Sequence, residues 1–128
     1  MADRRVLIDT SIFIEYFRKD NKKNTKLYFL TKEGYKLTTS SICYFEYMSG
    51  SKNRAFDKTL FDNIEVIEFD KNQAFIASTI FKNLKKQNSL IEFRDILISA
   101  CALAYDTPLA TLNIKHFKRI DDLVLLEL

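Results

Sequence analysis

The sequence is short of the residues that punctuate or cross-link a chain. Its 128 residues include no tryptophan, one proline, two glycines, two cysteines and one histidine. Cys43 and Cys101 fall inside predicted helices among apolar neighbours, with no CxxC and no His/Cys ligand spacing. That argues against a disulfide framework and a zinc-type cysteine site, and reads both as small buried hydrophobes in a reducing compartment. No segment approaches about 18 consecutive apolar residues, which excludes a membrane-spanning helix. The start, Met1-Ala2-Asp3-Arg4-Arg5, runs into only a few apolar residues and lacks the longer apolar core and small-residue cleavage site of a secretory signal. A cytoplasmic protein is expected. Repeats, low-complexity tracts and linkers are also missing, which leaves one domain over residues 1–128. Nor is there a strong excess of either charge. Twenty Lys and Arg oppose 17 acids, a net +3, and the basic residues are spread out. A nucleic-acid partner is compatible with that balance but not marked by it.

What is present is ordinary globular composition, 47% hydrophobic and 29% charged, with strand and helix signals in alternation. Residues 4–9 read as a short buried strand. Asp9-Thr10-Ser11 then starts a helix with Ile12, Phe13, Tyr16 and Phe17 on one face. A helix over 25–32 ends at Gly34, strand 36–39 follows, and Ser40 or Ser41 caps a helix that stops near Gly50. A basic helical stretch over 52–61 leads to strand 65–69. Asp70 caps a long helix in which Ala74, Ala77, Phe81 and Leu84 recur at helical spacing. After a polar loop at 87–89 comes a buried helix carrying Asp95, closed by Pro108. Strands at 109–112 and 123–126 complete the chain. The alternation predicts an α/β fold, a parallel sheet of about five strands sandwiched between helices.

Three acids sit where a carboxylate is out of place. Asp9 ends the apolar run Val6-Leu7-Ile8, Glu46 lies beside the apolar stripe of its helix, and Asp95 opens the nearly all-apolar stretch from Ile96 to Ala104. An ionised carboxylate is costly to bury without a neutralising partner. Sites in open α/β folds form beyond the carboxyl ends of strands. Asp9 ends strand one, Glu46 follows strand two by a helical turn, and Asn113 follows strand four, so these share a rim that Asp95 can join. Together the acids suggest a pocket for a hard, oxygen-seeking divalent cation such as Mg2+ or Mn2+, an arrangement suited to activating water against a phosphate.

Val6-Leu7-Ile8-Asp9-Thr10-Ser11 resembles the opening of PIN-domain proteins. Asp95-Ile96-Leu97-Ile98-Ser99-Ala100-Cys101-Ala102, followed by Pro108-Leu109-Ala110-Thr111-Leu112-Asn113-Ile114-Lys115-His116-Phe117, is similar to that family's C-terminal half, in particular to VapC-type toxin ribonucleases. The resemblance covers essentially the whole chain. It implies a Mg2+-dependent endoribonuclease (Mn2+ also suitable), with Asp9, Glu46 and Asp95 as metal-binding acids. Asn113 stands where the family often has a fourth acid; it can coordinate through its carbonyl or orient a water, but adds no charge. The hydroxyls of Thr10, Ser11 and Thr111 are expected to hold the carboxylates in place. His116 is read as a packing or hydrogen-bonding residue rather than a general base. The implied partners are a transfer or ribosomal RNA substrate, a VapB-like antitoxin and a second copy of the chain. Most of the 11 Phe and 6 Tyr read as core, but those in 12–17, 28–29 and 44–48 exceed what one face can bury, which fits such interfaces. Arg18, Lys19, Lys22, Lys23, Lys52, Arg54, Lys115 and Lys118 are candidate RNA-backbone contacts. A rival reading keeps the fold as an RNA- or protein-binding module without catalysis, with Asn113 in its favour. A dehalogenase-type phosphatase needs a second Asp where Ser11 stands, and a receiver domain needs paired acids that are missing after strand one.

Overall fold

Among residues 4–128, which the computed structural model describes, four short strands form one all-parallel sheet. They are β1 (Arg5–Ile8), β2 (Lys36–Ser40), β3 (Glu65–Ile67) and β4 (Leu109–Ala110), in the order β3-β2-β1-β4. Seven α-helices connect and cover them: α1 (Thr10–Arg18), α2 (Lys26–Lys32), α3 (Ser41–Ser49), α4 (Arg54–Phe61), α5 (Lys71–Lys86), α6 (Phe93–Ala104) and α7 (Ile114–Phe117). The part of the N-terminal reading that concerns residues 1–3 lies outside the described residues. No helix among the described residues is long and apolar enough to cross a membrane.

Strand periodicity builds the two cores. Successive side chains of a strand point to opposite faces, so Val6 and Ile8 pack with Ile12, Phe13 and Leu30, while Leu7 packs with Ala77, Ile80, Ile98 and Cys101. Val6, Leu7 and Ile8 of β1 are fully buried, as expected for an interior parallel strand covered on both faces. Its neighbour β2 is polar in composition yet buried at Thr38, Thr39 and Ser40. The hydroxyls explain this: Thr38 Oγ1 donates to the Val6 carbonyl (2.9 Å) and Thr39 Oγ1 to that of Ile8 (2.7 Å).

The sheet is smaller than the sequence predicts. Segment 123–126 meets β4 through a single bridge, Leu109 to Leu125, with Leu109 N–H donating to Val124 O and Leu126 N–H to Leu109 O. β4 ends at Ala110 instead of residue 112, because side chains claim the next backbone groups: Ser11 Oγ accepts from Leu112 N–H and Thr111 Oγ1 from Asn113 N–H, both at 3.0 Å. β3 stops at Ile67 for the same reason, with Phe69 N–H donating to Ser41 Oγ. On α5 the buried stripe is Gln73, Ala77, Ile80 and Leu84; Ala74 is exposed and Phe81 half-buried. Gln73 is held inward by Nε2 donating to the Glu68 carbonyl.

The scarcity of glycine shows at the helix ends. Gly34 takes φ +83° after α2, but the left-handed residues after α5 and α6 are Asn88 (φ 54°) and Asp106 (φ 49°), among the few side chains that tolerate this region.

Candidate active site

The register of β1 against β4 sets the centre of the site. Ile8 lies opposite Ala110, so the residues that follow, Asp9 and Thr111, emerge side by side at the carboxyl edge of the sheet. Asp9 is fully buried and caps α1. Its Oδ1 accepts from Thr10 N–H (2.8 Å), and its Oδ2 from Ser11 Oγ (2.9 Å) and Thr111 Oγ1 (2.7 Å). These donors offset the desolvation of the carboxylate. The Thr10 hydroxyl points the other way and donates to Glu46 Oε1 at 2.8 Å. Glu46 reaches this point because Ser40 caps α3 directly after β2, with its Oγ accepting from Ile42 N–H.

Asp95, the third residue of α6, is 1% exposed. Its Oδ1 accepts from Arg94 Nη1 at 2.8 Å, and its Oδ2 lies 3.0 Å from His116 Nδ1. Arg94 also places Nε 2.7 Å from Glu46 Oε2, so one guanidinium ties two of the acids together. Burial lifts the Asp95 carboxyl above the ordinary carboxylate value; Arg94 and the hydrogen bond from His116 pull it back, while Asp9 adds to the rise. Burial works against the charge of Arg94, but Asp95, Glu46, Asp9 and Glu92 outweigh it and hold its pKa above the ordinary value.

The family model described as the PIN domain matches residues 6–123. This chain belongs to the PIN-domain family. Ribonuclease VapC1 of Methanocaldococcus jannaschii is 28% identical over 120 residues, covering 94% of this chain and 84% of that protein. Ribonuclease VapC of Rickettsia bellii is 29% identical over 128 residues and covers 94% of each. Among solved structures, VapBC2 from Rickettsia felis bound to a DNA fragment from its promoter aligns with a TM-score of 0.78 at 27% identity, covering 95% of this chain and 97% of that one.

The donor set of this PIN domain fits a hard divalent cation. Ligand atoms of Asp9, Cys43 and Glu46 all lie within 4.8 Å of one another, and Asp95 joins through Arg94. Cys43 Sγ lies 4.0 Å from Asp9 Oδ1. Burial, with Asp9 beside it, pushes the thiol up to about 12. The carboxylate oxygens of Asp9 and Glu46 suit hard ions such as Mg2+, Mn2+ or Ca2+.

The structure brings Asp9, Thr10, Ser11, Glu46 and Thr111 into one hydrogen-bonded group, with Asp95 linked to it by Arg94. Asn113 lies at the start of α7 with its N–H on Thr111, and among the described residues its side chain bonds to none of the three acids. His116 reaches Asp95, and its neighbour Phe117 fills the core. Cys43, expected as a plain core residue, is buried but borders Asp9. Beside Glu46 opens a cleft of about 490 Å³ whose lining includes Arg18 and Lys52. Three other basic candidates are engaged locally: Lys19 with Glu15, Lys22 with the Tyr16 carbonyl, and Arg54 with the Met48 carbonyl.

Sequence reasoning missed Arg94. A signal was available: a guanidinium in the first turn of a helix opposes the positive end of the macrodipole, so Arg94 needs an acid close by to offset it.

Proposed function

We propose that this chain is a VapC-type endoribonuclease, the toxin of a VapBC-type toxin–antitoxin pair, which hydrolyses RNA phosphodiesters at the Asp9, Glu46 and Asp95 pocket with Mg2+ or Mn2+. The observation that carries this reading is the convergence of three carboxylates from β1–α1, α3 and α6, two of them with almost no exposure, in a PIN domain. Whole-chain similarity to proteins named ribonuclease VapC supports it.

Asp9, Glu46 and Asp95 are the residues that hold the ion. A bound Mg2+ or Mn2+ supplies Lewis-acid chemistry, making hydroxide available near neutral pH and offsetting charge on the phosphate. Thr10, Ser11 and Thr111 fix the orientation of the Asp9 and Glu46 carboxylates, so that ligand geometry is set before substrate arrives. Arg18 and Lys52, in the cleft beside Glu46, draw in and position the RNA backbone. Hydrolysis adds water across the P–O3′ bond. The oxygen of water joins phosphorus and its proton ends on the departing 3′ oxygen, giving a 5′-phosphate and a 3′-hydroxyl. Transfer or ribosomal RNA is the substrate class. A VapB-like protein neutralises the toxin, which works as a homodimer. Exposed Phe29, Phe45 and Phe56 on α2, α3 and α4 provide aromatic surface for those contacts.

The test is incubation of antitoxin-free protein with total RNA in Mg2+, in Mn2+ and in EDTA, with end mapping of the products. Discrete fragments carrying 5′-phosphates, formed only with metal, are expected. Fragments ending in a 2′,3′-cyclic phosphate would reject the mechanism, and RNA binding without cleavage would favour the non-catalytic module.

A further inference from the structure

Arg94 lies across two of the three acids. Its Nε is 2.7 Å from Glu46 Oε2 and its Nη1 is 2.8 Å from Asp95 Oδ1, both distances of charge-assisted hydrogen bonds. The contacts are held from several sides. Thr10 fixes the far oxygen of Glu46, His116 abuts the far oxygen of Asp95, and Glu92 lies 3.5 Å from Arg94 Nε. Asp95 is 1% exposed while the Arg94 side chain is 34% exposed, so the cation lies nearer solvent than the carboxylate it holds. When all three acids are ionised, one guanidinium leaves two negative charges uncompensated, the charge of a single divalent ion.

We infer that Arg94 is a built-in counter-cation, which stabilises the metal-free pocket and competes with the divalent ion for the carboxylates of Glu46 and Asp95. The inference rests on the metal-site reading above. Without metal, a carboxylate as deeply buried as Asp95 needs a positive partner; Arg94 supplies the permanent charge on Oδ1, and His116 hydrogen-bonds Oδ2. With metal, Glu46 Oε2 and Asp95 Oδ1 cannot give the same lone pairs to both cations. The guanidinium must then either leave its bonds or remain as a repelling charge. Either course lowers metal affinity. Even at an effective dielectric of about 20, a unit charge a few ångströms from a divalent ion weakens binding well over tenfold, and relaxation returns part of that. A tightening of about tenfold is therefore expected when the charge is removed. Arg94 is in this sense a positioning residue that sets the metal concentration at which the site fills.

The experiment is Mn2+ titration by calorimetry, with thermal melts with and without Mn2+, for the wild type, Arg94→Gln, Arg94→Lys and, as pocket control, Asp95→Asn. Arg94→Gln is expected to melt below wild type without metal, to bind Mn2+ about tenfold tighter, and to gain more in melting temperature from Mn2+. Lysine keeps the charge but cannot span two carboxylates as a planar fork does, so Arg94→Lys falls between the two. A lower melting temperature with unchanged Mn2+ affinity means a purely structural Arg94 and overturns the inference. Should Arg94→Gln fail to fold even with Mn2+, Arg94→Lys decides: tighter binding than wild type supports competition and equal affinity overturns it. Failure of the metal reading looks different, because wild type and Arg94 variants would then show no more Mn2+ binding than Asp95→Asn.

Discussion

Replacing Thr111 with valine tests how the buried Asp9 carboxylate is kept. Valine matches threonine in shape and leaves no cavity, so the change isolates one hydroxyl. That hydroxyl donates to Asp9 Oδ2 at 2.7 Å, accepts from Asn113 N–H at 3.0 Å, and is 3% exposed as a residue. A hydrogen bond to a charged group contributes about 1.5–3 kcal/mol, and a fully buried carboxylate cannot turn to water for a replacement. The expected loss is about 2 kcal/mol. For a domain of this length it amounts to roughly 6–8 °C in melting temperature. In urea, with a slope of about 1–3 kcal/mol per molar, the midpoint falls by roughly 1 M. Ser11→Ala removes the other hydroxyl donor to the same oxygen, so the double variant should lose more than the sum of the singles. Metal affinity should weaken by about 10–100-fold, the usual cost of losing a residue that orients a ligand. If Thr111→Val unfolds within about 0.5 kcal/mol of wild type at unchanged slope, Asp9 does not depend on that donor.

Both thiols should be inert in the folded protein. Burial pushes Cys43 up to about 12 and Cys101 up to about 11 from an ordinary 9.0, so iodoacetamide at about pH 8 should label neither until denaturant is added. The stability contributed by keeping them neutral is complete below about pH 9 and lost as pH rises through those folded values. Urea midpoints should therefore decline above about pH 9, and a midpoint that climbs there contradicts the assignment. Phe13 is 1% exposed and packs 4.9 Å from the Phe61 ring centroid; Phe13→Ala should cost about 3–5 kcal/mol in urea unfolding. Phe45 is 69% exposed, and Phe45→Ala should stay within about 0.5 kcal/mol. Equal losses at the two positions would contradict the packing described.

What was legible in the sequence was local. The Val6-Leu7-Ile8-Asp9-Thr10-Ser11 run marks a buried strand passing straight into a capped helix, and periodicity marks α5 and α6 without reference to the rest of the chain. The order of elements, the parallel sheet and the rim position of Asp9 follow from such signals. What was hidden depends on partners far along the chain. β3 and β4 end early because Ser41, Ser11 and Thr111 take backbone groups that a ladder would use. Gln73 displaces Ala74 from the buried face through a bond to a backbone carbonyl. Much of the apparent aromatic surplus is spent internally, where Phe13, Phe17, Tyr44, Tyr47 and Phe61 pack on one another across α1, α3 and α4. Arg94 reads as one more surface charge until Glu46 arrives from α3.

The most direct test of the central claim, that Asp9, Glu46 and Asp95 form one ribonuclease site, is cleavage of total RNA in Mg2+ by wild type and by Asp95→Asn purified in parallel, with folding of both verified by circular dichroism. Discrete fragments are expected from wild type and none from Asp95→Asn. Equal cleavage by a folded Asp95→Asn protein would place the activity elsewhere, and no cleavage by folded wild type would mean that the chain is not a ribonuclease.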